Sequence, residues 1–172
     1  MTMSDTVETN RAIDILGPQI EFKTEFSNDP QSYCVIASII PAGVTVPLHS
    51  HDDRETFYIT SGTLEVFDDQ GWRTLDVGDT FDVPAGVRHA LRNRWEHRVS
   101  ALLVTTTVMA KFFAAVGRPV PVGPPSPEDL QDFVAAAMDQ GYWLGSPQEN
   151  AAIGIFLPNP AAKVKRPANM TH

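Results

Sequence analysis

Short apolar runs that alternate with polar residues predict a chain built mostly of β-strands. Residues 33–40 form one such run, which Pro41, Ala42 and Gly43 close. Similar runs follow at residues 45–51, 55–60, 63–68, 71–76, 79–83, 87–93 and 98–107. Turn-forming residues separate them at short intervals, a rhythm typical of an all-β sandwich or barrel. No internal repeat stands out, so we predict one barrel and not a double one.

The two ends of the chain differ in composition from the middle, and we predict three parts. Residues 1–19 form an N-terminal arm, residues 20–108 form the barrel, and residues 109–172 form a Pro-rich and partly helical extension. An apolar segment at Phe22 starts the barrel. The last residues, 163–172, are polar and are predicted to be a loose tail.

Helix signals lie within the extension. A short helical segment is predicted at residues 111–117, and a proline-rich linker follows it. Ser126 is a predicted N-cap with Pro127 at the first helical position, and apolar residues then recur at helical spacing. Gly141 can end this helix. Residues 148–157 predict a second, shorter element.

Two roles are open for the extension. It can form a lid over the barrel mouth and touch substrate through its aromatic and thioether side chains. It can instead cover an apolar outer face or a dimer seam. The residues that would touch substrate as a lid are Phe133, Met138, Tyr142 and Trp143.

Composition limits the classes of function. The 172 residues carry a net charge of −8, which argues against nucleic-acid binding because that function needs a basic surface. No apolar run reaches membrane-spanning length, and the first residues lack the basic and apolar regions of a signal peptide. The single Cys34 excludes an internal disulfide and fits a reducing cytoplasm, where we expect the protein to reside.

The spacing of three histidines and one glutamate indicates a metal site. His49 and His51 are two residues apart in a predicted strand, so their rings share one face. Glu55 opens the next apolar run and can reach the same point. His89 must come from another strand that the fold brings alongside. Three imidazoles and one carboxylate are a ligand set for a mononuclear transition metal.

The alternative is that these histidines are ordinary surface or core residues. An isolated histidine would favour that interpretation, but here the histidines keep regular spacings to turn residues. Gly62 lies between two apolar runs in a hairpin pattern, and Gly78 and Gly86 mark turns beside the run at residues 79–83.

Two motifs of this chain resemble those of the cupin superfamily. The family's first motif is Gly-x5-His-x-His-x3-or-4-Glu-x6-Gly, and GVTVPLHSHDDRETFYITSG fills every signature position from Gly43 to Gly62. The second is Gly-x5-Pro-x-Gly-x2-His-x3-Asn, and GDTFDVPAGVRHALRN is again complete from Gly78 to Asn93. The resemblance covers roughly residues 22–108. The gap between the two motifs is short and is similar to that of compact bacterial members.

The resemblance implies a single all-β cupin barrel of jelly-roll type with one bound metal. The ligands would be His49, His51, Glu55 and His89, and the ion would be a divalent Fe, Mn, Ni, Co, Cu or Zn. It also implies a homodimer. Because this fold hosts many reactions, the motifs specify fold and metal site far better than reaction.

The first hypothesis for function is a metal-dependent dioxygenase that resembles the quercetinase-like small cupins and acts on a small aromatic or enolic molecule. Glu55 would be the catalytic proton acceptor, since it sits at the metal. The alternatives are an oxygen-independent isomerase, lyase or decarboxylase, and a non-catalytic module that binds a small metabolite. No nucleic-acid or membrane partner is expected.

Strand alternation predicts which apolar side chains share the barrel interior with the ligands. If Glu55 and His89 face inward, their neighbours two and four residues away on the same strands do so too. A core role is the alternative to substrate contact for each of them. The predicted pocket residues are Phe57, Ile59, Phe81, Val83 and Leu91.

Overall fold

The computed structural model describes residues 11–27, 29, 32–121 and 123–157. The first ten residues of the predicted arm and the predicted loose tail at residues 163–172 lie outside these ranges. Within them the chain is mostly β, as the strand rhythm predicts, and its two antiparallel sheets have the jelly-roll-like arrangement that the resemblance implies.

The strands are short, and most begin and end within a residue or two of the predicted apolar runs. They are β1 (Ile13–Asp14), β2 (Gln19–Phe22), β3 (Tyr33–Ile40), β4 (Thr45–Ser50), β5 (Glu55–Ser61), β6 (Leu64–Asp68), β7 (Gly71–Leu75), β8 (Thr80–Val83), β9 (His89–Arg92), β10 (Val99–Thr106), β11 (Arg118–Pro119) and β12 (Trp143–Leu144).

Three helices follow the barrel: α1 (Thr107–Val116), α2 (Pro127–Asp139) and α3 (Pro147–Ala152). Ser126 caps α2 through a capping box with Asp129, and Pro127 is its first residue. This confirms the predicted start, because the cap satisfies backbone N–H groups that have no partner inside the helix. Ser146 caps α3 in the same way with Glu149.

The two sheets pack face to face. One has seven strands in the order β11-β1-β2-β3-β10-β5-β8, and the other has five in the order β12-β4-β9-β6-β7. Along β3 every second side chain, from Cys34 to Ile40, is buried. The hydrophobic core therefore lies between the sheets and includes Ile36 and Leu103 from the first and Val66 and Leu91 from the second. The free thiol of Cys34 is buried there.

The outer face of the five-stranded sheet is covered by the extension. Leu48 and Ala90 on this face pack with Ile155 in a second apolar cluster. The indole Nε1 of Trp72 donates a hydrogen bond of 2.7 Å to the carbonyl oxygen of Ile153. Burial of this face gives the extension a packing role.

Three short strands and one helix start differ from prediction. Ile13–Asp14 lies inside the predicted arm but pairs with β2 and β11, so the described part of the arm belongs to the larger sheet. The two-residue strands β11 and β12 were not predicted, because such short pairings leave no periodic pattern. Helix α1 begins at Thr107 and not at residue 111, since the β-branched residues before it prolong the strand pattern until the Thr106 side chain caps the helix.

Candidate metal centre

The four predicted ligands meet between the two sheets. His49 on β4 lies opposite His89 on the neighbouring strand β9, and His51 follows directly after β4. The ligand atoms of these three histidines lie within 4.8 Å of one another. Glu55 begins β5 of the opposite sheet and faces them, so both sheets contribute to one cluster.

The spacing of these side-chain atoms fits one ion. Oε2 of Glu55 lies 3.4 Å from Nε2 of His51 and 3.3 Å from Nε2 of His89. Two ligand atoms about 2.1 Å from one ion and about 105° apart at the ion lie about 3.3 Å from each other. The three histidines could therefore hold a metal, and the carboxylate is placed to join them.

Each imidazole is oriented by a backbone carbonyl two residues away. Nδ1 of His49 lies 2.7 Å from the oxygen of Pro47, and Nδ1 of His51 lies 2.8 Å from that of Asp53. Nδ1 of His89 lies 2.9 Å from the oxygen of Val87. Since a carbonyl only accepts, each Nδ1 carries the proton and each Nε2 keeps its lone pair for another partner. These acceptors were missed by sequence reasoning, because a backbone carbonyl has no side-chain signature.

Two of these Nε2 atoms are buried without a hydrogen-bond partner, those of His51 and His89. Buried polar atoms are rarely left unsatisfied, because desolvation then has no compensation. A cation between these nitrogens and Glu55 would satisfy them. The donor set therefore fits a divalent transition metal, and the unsatisfied nitrogens favour a ligand role over a purely structural one.

The charge state of the cluster also suits a cation. Burial, together with the neighbouring His89, lowers the pKa of His49 to about 3, so this ring is neutral at pH 7. Burial raises the pKa of Glu55, but His51 and His89 outweigh that effect and lower it to about 2. Burial likewise lowers the pKa of His51, yet the Glu55 carboxylate raises it above its usual value overall. Glu55 thus attracts positive charge to the cluster.

The other motif residues support the backbone around the ligands. The N–H of Gly86 donates to the carbonyl of His51 at 2.7 Å. The buried amide of Asn93 donates to the carbonyls of Ile40, Pro41 and His97. Gly86 thus supports the backbone at His51, and Asn93 joins the turn after β3 to the turn before β10.

A cavity of about 90 Å³ opens beside the cluster. Its wall is mostly apolar, and the ligands His49 and Glu55 form part of it. Such a volume holds several waters or a small organic molecule. The remaining wall residues are Ile15, Pro18, Ile20, Ser38, Ile40, Val46, Phe57, Leu91, Leu103 and Phe113.

The predicted pocket residues divide into two groups. Phe57 and Leu91 line the cavity. Ile59, Phe81 and Val83 are completely buried in the hydrophobic core and do not line it, so their placement follows the alternative core role. Strand periodicity correctly predicts that all five side chains face the interior. It does not show which of them pack in the core and which line a cavity. Ile15 and Phe113, from segments outside the predicted barrel, were missed for the same reason.

The four residues of the predicted lid do not line this cavity. Phe133 packs against Phe112, and 67 % of the surface of Met138 is exposed. The guanidinium of Arg88 stacks on Trp143, with its Cζ atom 4.0 Å from the ring centroid. Three of the four predicted lid residues, Phe133, Met138 and Trp143, therefore follow the packing alternative. Tyr142 is the exception, because its ring lies 5.3 Å from that of the ligand His51.

One acidic residue near the predicted ligands is buried, although it was expected to be exposed to solvent. Sequence reasoning assigns Asp52, Asp53 and Asp82 to the solvated surface. Asp53 is instead buried, with 7 % of its surface exposed, and its carboxylate accepts hydrogen bonds from Thr106 and Tyr142. These partners lie 53 and 89 residues away in the chain, so no local pattern reveals them.

Comparison with known families agrees with this fold. Residues 35–105 match the family model described as the cupin domain. These residues are therefore similar to a cupin domain. The match spans both motifs and all four predicted ligands, whereas the arm and the extension lie outside it.

Several solved structures resemble this chain at low sequence identity. An RmlC-like cupin from Shewanella frigidimarina is 18 % identical, with a TM-score of 0.53, over 63 % of this chain and 99 % of its own. The cupin domain of an XRE family transcriptional regulator from Enterobacter cloacae is 19 % identical, with a TM-score of 0.45, over 52 % of this chain and 95 % of its own. KdgF from Halomonas sp. is 18 % identical, with a TM-score of 0.46, over 60 % of this chain and 88 % of its own.

No curated protein matches the chain significantly by sequence. In the part of the chain that the structure describes, no helix has the length and hydropathy to cross a membrane.

Proposed function

We propose that the cupin domain is a mononuclear metal enzyme, and specifically a dioxygenase for a small aromatic or enolic molecule. The observation that carries this proposal is the pair of buried Nε2 atoms of His51 and His89, which face Glu55 without a hydrogen-bond partner. His49, His51, Glu55 and His89 would hold one divalent transition metal beside an apolar cavity.

A bound redox-active ion with four protein ligands would supply Lewis acidity and open coordination positions for O2 and an oxygen-bearing substrate. The chain's own residues have separate tasks. The three carbonyl acceptors hold the imidazoles in one tautomer and one orientation. The apolar wall excludes water, which strengthens electrostatic interactions at the cluster.

The lining of the cavity favours an aromatic or enolic substrate over a sugar. Besides the two ligands, Ser38 is the polar side chain in the wall. A sugar would leave several hydroxyl groups without partners there, at a cost of about 1–3 kcal/mol for each group. Flat carbon rings match Phe57 and Leu91, and a single enolic oxygen can be directed at the cluster.

Glu55 is the proposed proton acceptor for the substrate hydroxyl. It belongs both to the cluster and to the cavity wall, so a bound substrate lies next to its carboxylate. Its low pKa keeps it ionised at pH 7. A bound ion would lower the pKa of a substrate hydroxyl, and Glu55, as a weak base, would need such a proton donor.

The decisive experiment measures metal content and O2 uptake together. We expect about one Fe, Mn, Ni, Co or Cu per purified chain, and O2 uptake with some enolic aromatic compounds. His51→Ala should lose both. His97→Ala is the matched control, because His97 is exposed and its side chain lies outside the cluster. Metal content or O2 uptake that persists in His51→Ala would refute the proposal.

An oxygen-independent isomerase, lyase or decarboxylase is the second candidate. The carboxylate of Glu55 in the cavity wall favours it, because proton transfer from a substrate carbon needs only a base and a Lewis acid. Turnover under strictly anaerobic conditions would select this candidate over the dioxygenase. A tightly bound compound that is recovered unchanged would instead indicate a metabolite-binding module.

We also propose that two copies of the chain form a homodimer through the outer face of the seven-stranded sheet. Tyr58, Leu102 and Val104 lie on this face with 46 %, 39 % and 39 % of their surfaces exposed, and Leu102 pairs directly with Tyr58. Contiguous exposed apolar surface of this kind commonly marks an interface. Light scattering should report a dimer, and Leu102→Lys should convert it to a monomer. Leu130→Lys, on the exposed side of α2, should leave the mass unchanged.

A further inference from the structure

Tyr142 of the extension lies beside the proposed metal centre. The hydroxyl of Tyr142 donates a hydrogen bond of 2.9 Å to Oδ2 of Asp53. The backbone carbonyl of the same Asp53 accepts the Nδ1 proton of His51 at 2.8 Å. Tyr142 is therefore two hydrogen bonds away from a predicted ligand, although it lies 91 positions beyond it in the chain.

The aromatic ring of Tyr142 makes a second link to the same ligand. Its centroid lies 5.3 Å from that of His51 and 4.9 Å from that of Phe112 on α1. It thus fills the space between the imidazole and the first helix. Rotation of the His51 ring would require Tyr142 to move.

Asp53 is held on both carboxylate oxygens. Oδ2 accepts from Tyr142, and Oδ1 accepts from the hydroxyl of Thr106, the N-cap residue of α1. Burial, and then the Asp53 carboxylate, raise the pKa of Tyr142, so its hydroxyl keeps the proton that it donates. A buried carboxylate with two fixed donors holds its own backbone in place, and with it the carbonyl that orients His51.

Tyr142 is itself anchored to the strand that carries the ligands. The next two residues form β12, in which Trp143 pairs with Ser50 and Leu144 pairs with His49 on β4. The N–H of Gly145 then donates to the carbonyl of Leu48 at 2.8 Å. The tyrosine is therefore fixed relative to both ligands of this strand.

From these contacts we propose that Tyr142 is a positioning residue of the metal centre. Through its hydrogen bond to Asp53 and its ring contact with His51, it holds Nε2 of His51 toward Glu55 and so sets the affinity of the site for metal. The inference rests on the proposed metal site but not on the reaction. It gives the C-terminal extension, which lies outside the matched cupin region, a part in function.

The test compares metal affinity across variants that keep the shape of the site. Tyr142→Phe removes the hydroxyl and keeps the ring, and Tyr142→Leu removes both. Asp53→Asn keeps the backbone carbonyl that accepts from His51. Dissociation constants for Co²⁺ and Zn²⁺ are measured by competition with a chelator, and the visible spectrum of the Co²⁺ form reports ligand geometry. Tyr33→Phe is the matched control, because that hydroxyl group lies on an exposed residue.

We expect Tyr142→Phe to weaken Co²⁺ binding about tenfold and Tyr142→Leu by more, as is typical for residues that support a metal ligand from behind. The visible bands of the Co²⁺ form should shift in both. In the double variant Tyr142→Phe, Asp53→Asn the two losses should add incompletely, since Tyr142→Phe removes a hydrogen bond to the side chain that Asp53→Asn makes neutral. Thermal unfolding of the metal-free variants shows how much of any change is general destabilisation.

The outcomes separate this inference from the proposed function. Unchanged affinity and spectrum in folded Tyr142→Phe and Asp53→Asn, beside a metal-binding wild type, would overturn the positioning role and leave the metal site intact. Weaker binding and a shifted spectrum in these variants, with a wild type that takes up no O2, would support the positioning role and refute the dioxygenase. A wild type that binds no metal would overturn both.

Discussion

Nε2 of His51 lies 3.4 Å from Oε2 of Glu55, although His51 follows a strand of the five-stranded sheet and Glu55 begins a strand of the seven-stranded sheet. An ion held by both residues would join the two sheets. The proposed metal centre therefore links function to the stability of the fold.

Metal should stabilise the folded protein, and Glu55→Gln should remove about half of that effect or more. At a free metal concentration of about 100 times Kd, binding contributes about 2.7 kcal/mol. For a domain of this size that raises Tm by about 5–10 °C. A tenfold to hundredfold higher Kd in Glu55→Gln would reduce the contribution of metal binding to the free energy of unfolding. At the same metal concentration it would be about 0.4–1.4 kcal/mol. Differential scanning calorimetry measures the shift.

The control for this prediction is Glu96→Gln, which removes a carboxylate from an exposed position. It should show the same shift as the wild type. An equal shift in Glu55→Gln and wild type would mean that the carboxylate is not a ligand.

Filling the cavity should block the small molecule and spare the metal. Ile15 lies in the cavity wall but is not among the proposed ligands. A tryptophan there would occupy much of a cavity of about 90 Å³, at a cost of about 1–3 kcal/mol in stability. We expect Ile15→Trp to bind metal normally and to lose affinity for enolic aromatic compounds at least tenfold, as measured by calorimetric titration.

Leu130→Trp, at an exposed position of α2, is the control and should keep both affinities. Undiminished binding of the organic compound by Ile15→Trp would show that it binds elsewhere.

Substitution of Gly62 in the hairpin should destabilise the protein more than substitution of Gly43. Gly43 has similar backbone geometry and begins the same motif. Gly62 and Gly43 have φ of +81° and +75°. A Cβ at Gly62 would lie 2.9 Å from the carbonyl oxygen of Arg98, whereas one at Gly43 would meet nothing within 4 Å. Gly43→Ala should cost about 1–2 kcal/mol, from backbone strain alone.

Gly62→Ala should lower the free energy of unfolding by about 1–3 kcal/mol more than Gly43→Ala does, because backbone atoms must also move. Urea unfolding of the two variants gives the difference. Equal losses would mean that the hairpin adjusts to the added methyl group.

Asn150 should be a main anchor of the extension. It is completely buried, accepts from the N–H of Leu48 at 2.9 Å, and donates to the carbonyls of Gly145 and Ser146. Asn150→Ala removes the side-chain partner of the N–H of Leu48 and of the carbonyl of Gly145, whereas the carbonyl of Ser146 keeps its backbone partner; we expect a loss of about 2–4 kcal/mol in urea unfolding. Gln148→Ala, an exposed change in the same helix, should stay within about 0.5 kcal/mol. Similar losses in both variants would contradict the anchoring role.

Strand boundaries were the part of the fold most open to prediction. Residues 33–40 were predicted as one strand, and β3 covers the same residues. Alternation of buried and exposed side chains is a local property, so it is readable wherever a strand is half buried. Ile13–Asp14 and Trp143–Leu144 were missed because pairing with other strands, and not their own pattern, makes them strands.

The sequence by itself determined the kind of fold and the residues that meet at the centre. Alternation, turn residues and the spacing of His49, His51, Glu55 and His89 sufficed for that, because ligands carried on strands follow from the pleat and the register. Tertiary structure alone decided what surrounds them. The cavity wall at Ile15, the buried carboxylate of Asp53 and the contact of Tyr142 with His51 depend on how distant segments pack, and packing leaves no periodic trace in the chain.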